Sequence, residues 1–387
     1  MFNSFNLAEL HLPPNLADLR SEVREFVAAE MNAGAFRRCA DGWDVWDPDF
    51  SRKVGQRGWI GMTWPRQYGG HERTALERYV VSEELLVAGA PIRAHWLADR
   101  QFGPLLLAYG TEEQKHKYLP RIAAGECFFC VGMSEPDAGS DLASIRTRAD
   151  KVHGGWRVEG RKVWTGFAHH AHMMTLFART APRSEATRHG GVSQFLVDLK
   201  STPNMSIRPI YNLAGEHDFN EVVFDGAMLP EDALVGTVDN AWSQISGELV
   251  YERSGPERWS STYGLILSLM DEIGHSPERL DARELGRLVS HVWTLHRMSF
   301  AIAGMLERGT TPTIEAALVK DLGNAFEQEV PIVARRVLTE SRRTASAIRD
   351  DLEAVLARAL YYAPSHTIRG GTKEILRGIV AKGLGLR

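Results

Sequence analysis

Met133-Ser134-Glu135-Pro136-Asp137-Ala138-Gly139-Ser140-Asp141 comes just after the apolar run Phe128 to Val131. A proline, then Ala-Gly-Ser with nothing bulky between, ends an extended strand and lets backbone N–H groups approach a large anionic or polar ligand. Ser134 and Ser140 add side-chain hydrogen bonds. The same composition also suits an ordinary surface turn. The flanking sequence has to decide between the two.

Upstream, the chain reads as helix. After Pro13-Pro14, Leu16, Leu19, Val23, Phe26 and Val27 share one face of a segment from Asn15 to Met31, with Asn15 available as the cap. A second helix is expected from Thr74 to Val87, beyond the turn Trp64 to Gly70. Thr111-Glu112-Glu113-Gln114 has the capping-box spacing. At about Cys127 the texture changes. Trp156 to Glu159, Lys162 to Trp164, Met174 to Thr180, Gln194 to Leu199, Ser206 to Tyr211 and Glu221 to Phe224 are short β-branched and aromatic runs between Gly, Pro, Asn and Asp clusters. They predict a small β-barrel or sandwich. From Trp242 helical periodicity returns, with long stretches such as Glu315 to Leu338, the turn Arg369-Gly370-Gly371-Thr372 and a final helix from Lys373. The fold class is therefore multi-domain α+β: a helical block over 1–126, a β block over 127–236 and a helical bundle over 237–387. Blocks of this kind do not build an alternating parallel sheet. No Gly-x-Gly-x-x-Gly follows a strand either, so a nucleotide cofactor would have to sit between domains.

The whole-chain properties narrow the function classes. With 387 residues the chain exceeds one ordinary core, and 44% hydrophobic and 24% charged residues are globular values. A formal charge of −4 without a Lys/Arg block argues against nucleic acid as partner. Met1 to Pro14 lacks signal-peptide character, and no apolar run reaches the roughly 20 residues of a membrane helix, so a cytoplasmic location with no membrane partner is expected. Cys39 stands alone. Cys127 and Cys130 form one Cys-x-x-Cys with no second pair, which reads as two small buried apolar residues or as a redox dithiol. His169, His170 and His172 have no carboxylate at ligand spacing, so they read as loop or surface residues and no metal is expected.

Six stretches together resemble one family in order and spacing, the acyl-CoA dehydrogenases. They are Met133 to Ala143, Gly160-Arg161-Lys162-Val163-Trp164-Thr165, Glu221 to Asp225 with Pro230, Gly370-Gly371-Thr372-Lys373-Glu374-Ile375-Leu376-Arg377, Trp64-Pro65 with Tyr68-Gly69-Gly70, and Tyr109 to Gln114. The resemblance implies a helical N-terminal domain, a middle β-domain and a C-terminal four-helix bundle with FAD between them. It also implies conversion of an acyl-CoA to the trans-2-enoyl-CoA, a base taking the α-proton while the β-hydrogen leaves as hydride. Such chemistry needs aimed donors at the thioester oxygen, a carboxylate base tuned by burial, and an apolar wall for the flavin. By resemblance, Val131, Met133, Ser134, Gly139, Ser140, Trp164, Thr165, Gly166, Thr372 and Glu374 hold the cofactor. Met133 and Ser134 would meet the flavin edge, Gly139 and Ser140 the pyrophosphate, and Trp164 would stack on the ring. Read alone, without its flanking motif, Trp164 is better explained as a core tryptophan in a strand. The family commonly has Trp-x-Thr, whereas here Thr165 follows Trp164 and Gly166 stands at the hydroxyl position. The flavin N5 contact is then left to backbone or to a shifted Thr165.

Many members carry the catalytic glutamate just before the Gly-Thr of the last turn, where this chain has Gly370. Another branch of the family, isovaleryl- and long-chain-like, uses a glutamate before an arginine on a C-terminal-domain helix. Glu252-Arg253 resembles that pair, so Glu252 is the expected base and Glu248, one turn earlier, its rival. Gly370 is expected to keep its backbone N–H as thioester donor. Arg253, Gly371, Trp96, Arg100 and Gln101, with His95 nearby, are the expected substrate contacts, and the volume freed at Gly370 suggests a branched or alicyclic acyl group. The resemblance further implies an electron-transfer flavoprotein as acceptor and a homodimer or homotetramer. Two features depart from it. Arg283-Glu284-Leu285-Gly286 only approximates the family's Arg-x-x-Phe-Gly, and Ile348 to Tyr362 reads as continuous helix in place of a Gly-Gly adenine loop. They leave open a heteromer in which this chain is a structural or half-site subunit. An acyl-CoA oxidase is a further reading.

Overall fold

A computed structural model describes residues 13–37, 45–182, 189–245, 253, 255–274, 279–340 and 347–386. The helices are α1 (Pro14–Asn32), α2 (Pro48–Gln56), α3 (Ala75–Val87), α4 (Arg93–Leu97), α5 (Gly103–Tyr109), α6 (Glu112–Ala123), α7 (Tyr263–Ile273), α8 (Arg279–Glu307), α9 (Thr313–Glu340), α10 (Ala347–Tyr362) and α11 (Lys373–Gly383). Among the described residues, eight strands lie between α6 and α7: β1 (Phe129–Gly132), β2 (Arg148–Val152), β3 (Gly155–Gly166), β4 (Met173–Arg179), β5 (Val192–Asp198), β6 (Met205–Tyr211), β7 (His217–Pro230) and β8 (Leu234–Val235). The chain forms two compact units. One is drawn from Met1–Trp46, Arg73–Ile92 and Glu252–Arg387, the other from Asp47–Glu72 and Arg93–Tyr251.

The first unit is helical. Leu16, Leu19, Val23, Phe26 and Val27 are the buried face of α1, as their spacing predicts. The cap differs: Pro14 opens the helix behind Pro13 and no side chain caps it. Proline wins here because its fixed φ suits the first turn and its missing N–H is not needed there. Arg20 and Arg24 on α1 grip Glu84 on α3 at 2.8 and 2.7 Å. The C-terminal helices bury one another around Leu265, Ile266, Leu269, Leu295, Ile302, Val319, Phe326, Val330, Leu352 and Leu356. The last helix begins at Lys373 as expected.

The second unit carries the sheet, in the order β6-β7-β3-β2-β4-β5-β8, with β1 beside β4. β2 and β4 touch only at Arg148 and Arg179, so the path folds into two halves. Their inward faces meet at Cys130, Trp156, Val158, Met174, Leu176, Phe195, Val197, Val222 and Phe224, the core of a sandwich. The runs at 156–159 and 162–164, read as separate, are one strand, β3. It stays paired with β7 through register shifts at Val158/Glu159 and Lys162/Thr165, and bulges of this kind interrupt the alternation by which strands are recognised. Helix α6 has the capping box at Thr111 and Gln114, and Gln114 Nε2 also donates to the carbonyls of Asp232 and Leu234 at 2.7 and 2.9 Å. Trp64 is buried in this unit. A Cβ at Gly103 or Gly70 would lie 1.9 or 2.3 Å from it, which explains the glycines around that tryptophan.

Candidate active site

In the second unit the loop after β1 is zipped to β3. Val163 N donates to Ser134 O at 2.9 Å, and Lys162 Nζ donates to Met133 O at 3.0 Å and to Glu135 Oε1 at 2.8 Å. Glu135 also accepts from the backbone N–H groups of Arg146 and Thr147 at 2.7 and 2.9 Å. Lys162 is fully buried, and burial pulls its ammonium down to about 8 against the opposing pull of Glu135. Burial alone would raise the Glu135 carboxyl, but the Lys162 charge and its hydrogen bonds hold it below the ordinary value. A buried ion pair satisfied in this way fixes the loop relative to the strand. Met133, Ser134 and Val131 are half-buried, while Gly139 and Ser140 are exposed and a Cβ at Gly139 would meet nothing within 4 Å.

β3 ends in Trp164-Thr165-Gly166. Trp164 has φ 58° and an indole 61% exposed, so it is not a core tryptophan. The left-handed backbone sits at the bulge and turns the ring out of the sheet. Thr165 is fully buried, its carbonyl accepting from Asn220 Nδ2 at 3.0 Å. The helical segment that should line an acyl pocket contains a π-helical turn, Ala98–Phe102, between α4 and α5. His95, Trp96, Arg100 and Gln101 are all buried there, with the Arg100 guanidinium 5.4 Å from the Trp96 ring centre. His95 Nδ1 lies 2.9 Å from Ser51 Oγ, and burial lowers its imidazole to about 3. Cys127 and Cys130 are buried thiols pushed up by burial, Cys127 to about 11, which leaves them inert at neutral pH and supports the apolar reading. His169 stacks on His217 at 3.7 Å beside Asn220.

In the first unit the turn before α11 is held residue by residue. Arg369 Nη2 donates to Ser261 Oγ at 2.8 Å and to Glu327 Oε2 at 3.2 Å. Arg253 Nε donates to Gly370 O at 3.2 Å, and Lys320 Nζ donates to Gly371 O at 3.3 Å. With the Asn324 amide oriented to accept from Lys320 Nζ at 3.0 Å, it donates to His366 O at 2.7 Å. Lys320, Asn324 and Glu327 thus form one buried face of α9 beneath the turn. Burial would raise the Glu327 carboxyl, yet the His366 and Arg369 charges hold it below its usual value. Gly370 and Gly371 have φ of 66° and 109°, a conformation that side chains resist. Thr372 is the N-cap of α11. Glu374 is exposed in its first turn, its carboxyl lowered by its own backbone N–H and by Thr372. Glu252 and Glu248 lie outside the described residues.

Sequence reasoning missed Lys162, Glu135, Lys320 and Glu327. Charged residues at helix or strand positions are usually solvated, and with Glu159 near Lys162 and Asp321 beside Lys320 in the chain the local sequence carries no signal that singles them out.

The descriptions "Acyl-CoA dehydrogenase, N-terminal domain" and "Acyl-CoA dehydrogenase, middle domain" match residues 13–126 and 130–227. The chain is 31% identical to "Acyl-CoA dehydrogenase FadE29" of Mycobacterium tuberculosis (strain ATCC 25618 / H37Rv), covering 96% of this chain and 97% of that protein. It is 31% identical to "Acyl-CoA dehydrogenase IpdE1" of the same organism, over 86% of each. Among solved structures it is similar to the "Tcur3481-Tcur3483 steroid ACAD", with a TM-score of 0.85 and 28% identity over 98% of this chain and 99% of that one. It is also similar to the ChsE4-ChsE5 complex from Mycobacterium tuberculosis, with a TM-score of 0.80 and 25% identity over 98% and 99%. The chain belongs to the acyl-CoA dehydrogenase family, and it is an enzyme of that class.

Proposed function

We propose that this chain performs FAD-dependent α,β-dehydrogenation of a bulky, alicyclic acyl-CoA thioester, with Glu252 as the α-proton base. The observation that carries this reading is the bond from Arg253 Nε to the Gly370 carbonyl at 3.2 Å. It ties the residue that follows Glu252 in the chain to the turn from which the usual glutamate is missing. The Gly370 N–H is assigned to the thioester oxygen and Glu252 to the α-proton, so the two halves of proton abstraction are divided between the turn and the Glu252 carboxylate. Glycine at 370 leaves room beside the α-carbon, and the "steroid ACAD" similarity supports a ring-bearing acyl group.

The residues of the second unit fit FAD. An indole that is 61% exposed from a left-handed backbone position is costly unless something flat covers it, and Gly139 and Ser140 present an open, unobstructed backbone. Met133, Ser134, Gly139, Ser140 and Trp164 would hold the cofactor, with Val131 and Gly166 at its margin and Thr372 and Glu374 from the last turn. FAD, when bound, supplies the hydride acceptor. Trp96, Arg100 and Gln101 would shape the acyl end, and Arg253 with Gly371 the thioester end.

The experiment is Glu252→Gln in purified protein, mixed anaerobically with a cycloalkyl or steroid-side-chain acyl-CoA. Bound FAD should persist while its reduction slows by about 10²- to 10⁴-fold, the range a positioned general base contributes. Reduction at the wild-type rate would remove Glu252 from the mechanism. A second reading, a subunit of a heteromeric dehydrogenase, is favoured by the two-component names of both similar structures. Protein that runs at one chain mass and is colourless alone, yet yellow when co-expressed with a second dehydrogenase chain, would establish it. An electron-transfer flavoprotein is the proposed acceptor.

A further inference from the structure

Gly166 stands where the family commonly places a threonine hydroxyl, and its Cα is not bare. A Cβ built on it would lie 2.7 Å from Arg93 Nη2. Arg93 is the first residue of α4 and half-buried, and its guanidinium carbon sits 4.7 Å from the centre of the Phe167 ring. The planar group is thus parked by a cation–π contact against the residue that follows Gly166. Thr165, the other hydroxyl in this stretch, is fully buried, so it lies beneath the surface from which Trp164 projects. The space a side chain at 166 would fill is held by a cation.

The geometry points to Arg93 as the residue that takes over the missing hydroxyl's place beside the flavin, donating to the N5 edge and bringing a permanent positive charge to it. This rests on the reading of Trp164 and Gly166 as the flavin wall. A guanidinium keeps its charge across the working pH range and offers several donors in one plane. Reduction adds electron density to the ring, so a fixed cation beside it favours the reduced state, whereas a hydroxyl is only a weak dipole. Glycine at 166 is the accommodation: a threonine there would push the Arg93 tip aside.

The test is spectroelectrochemical titration of FAD in the purified holoprotein. Arg93→Met should disfavour reduction about tenfold, a fall of ~30 mV for a two-electron couple. Arg93→Lys, which keeps the charge, should stay near wild type. In Arg93→Met/Gly166→Thr the hydroxyl is restored in vacated space, and the potential should recover in part. A clamp that only holds Phe167 would lower the melting temperature of Arg93→Met and leave the potential unchanged, and that result overturns the assignment. If Arg93→Met emerges without FAD, Arg93→Gln, which keeps donors but removes the charge, decides: a lowered potential supports the charge argument and a wild-type one refutes it. Wild-type protein that never holds FAD would instead sink the flavin reading itself.

Discussion

Single residues carry the least expected parts of this site. Trp164 is the clearest case, because a non-glycine residue at φ 58° costs on the order of 1–3 kcal/mol and persists only where surrounding structure imposes it. Here the bulge and the Lys162 anchor two residues earlier impose it. No sequence pattern shows a backbone angle, so whether this tryptophan was core or wall stayed open until its exposure was known. His95 allows a prediction at the same scale. Burial holds its imidazole at about 3, below the ordinary 6.5. Between those values the unfolded chain binds a proton that the folded chain refuses. The stability His95 allows is therefore complete above pH 6.5 and lost as pH falls toward 3, by up to about 1.4 kcal/mol per pH unit. Urea unfolding of wild type and His95→Asn at pH 7 and pH 5 should show a larger loss in wild type. Equal losses would place the acid sensitivity elsewhere.

Elements were legible in proportion to how local their causes are. The capping box at Thr111 and the long C-terminal helices follow from residues within one turn of each other, and they appear where the sequence put them; a second box, Thr74 with Glu77, starts the helix expected from Thr74. Helix α9 even runs through Pro331, whose missing N–H costs one backbone bond that the neighbouring helices outweigh. Contacts made by register were not legible. Lys162 and Glu135 meet only because β3 lies beside the loop, and Lys320 reaches Gly371 only because α9 lies beneath the last turn. Lys162→Met strands a buried carboxylate, so it should cost about 3–5 kcal/mol, most of it recovered in Lys162→Met/Glu135→Leu. The recovery is incomplete because the N–H groups of Arg146 and Thr147 also use Glu135. Denaturant midpoints of the three variants measure it, and additive losses would mean the two side chains do not act as a pair. Lys320→Met leaves the Gly371 carbonyl without its ammonium. A loss of about 1–3 kcal/mol is expected, together with weaker polarisation of a bound aryl-conjugated enoyl-CoA, seen as a smaller red shift of its absorbance.

At the scale of the whole molecule, the block order of helix, sheet and helix was readable because periodicity changes from 3.6 to 2 and back over long stretches. How distant segments share a unit was not: Arg73–Ile92 groups with the C-terminal helices, and no local signal marks that. None of the described helices is long and apolar enough to cross a membrane. The division of labour proposed here, cofactor on the sandwich unit and proton chemistry on the helical unit, makes one requirement of the intact chain. The purified protein should be yellow, and anaerobic addition of a ring-bearing acyl-CoA should bleach its visible flavin band, while a straight-chain substrate of similar mass should do so more slowly. A yellow protein that no acyl-CoA bleaches would contradict the catalytic assignment of Glu252 and Gly370.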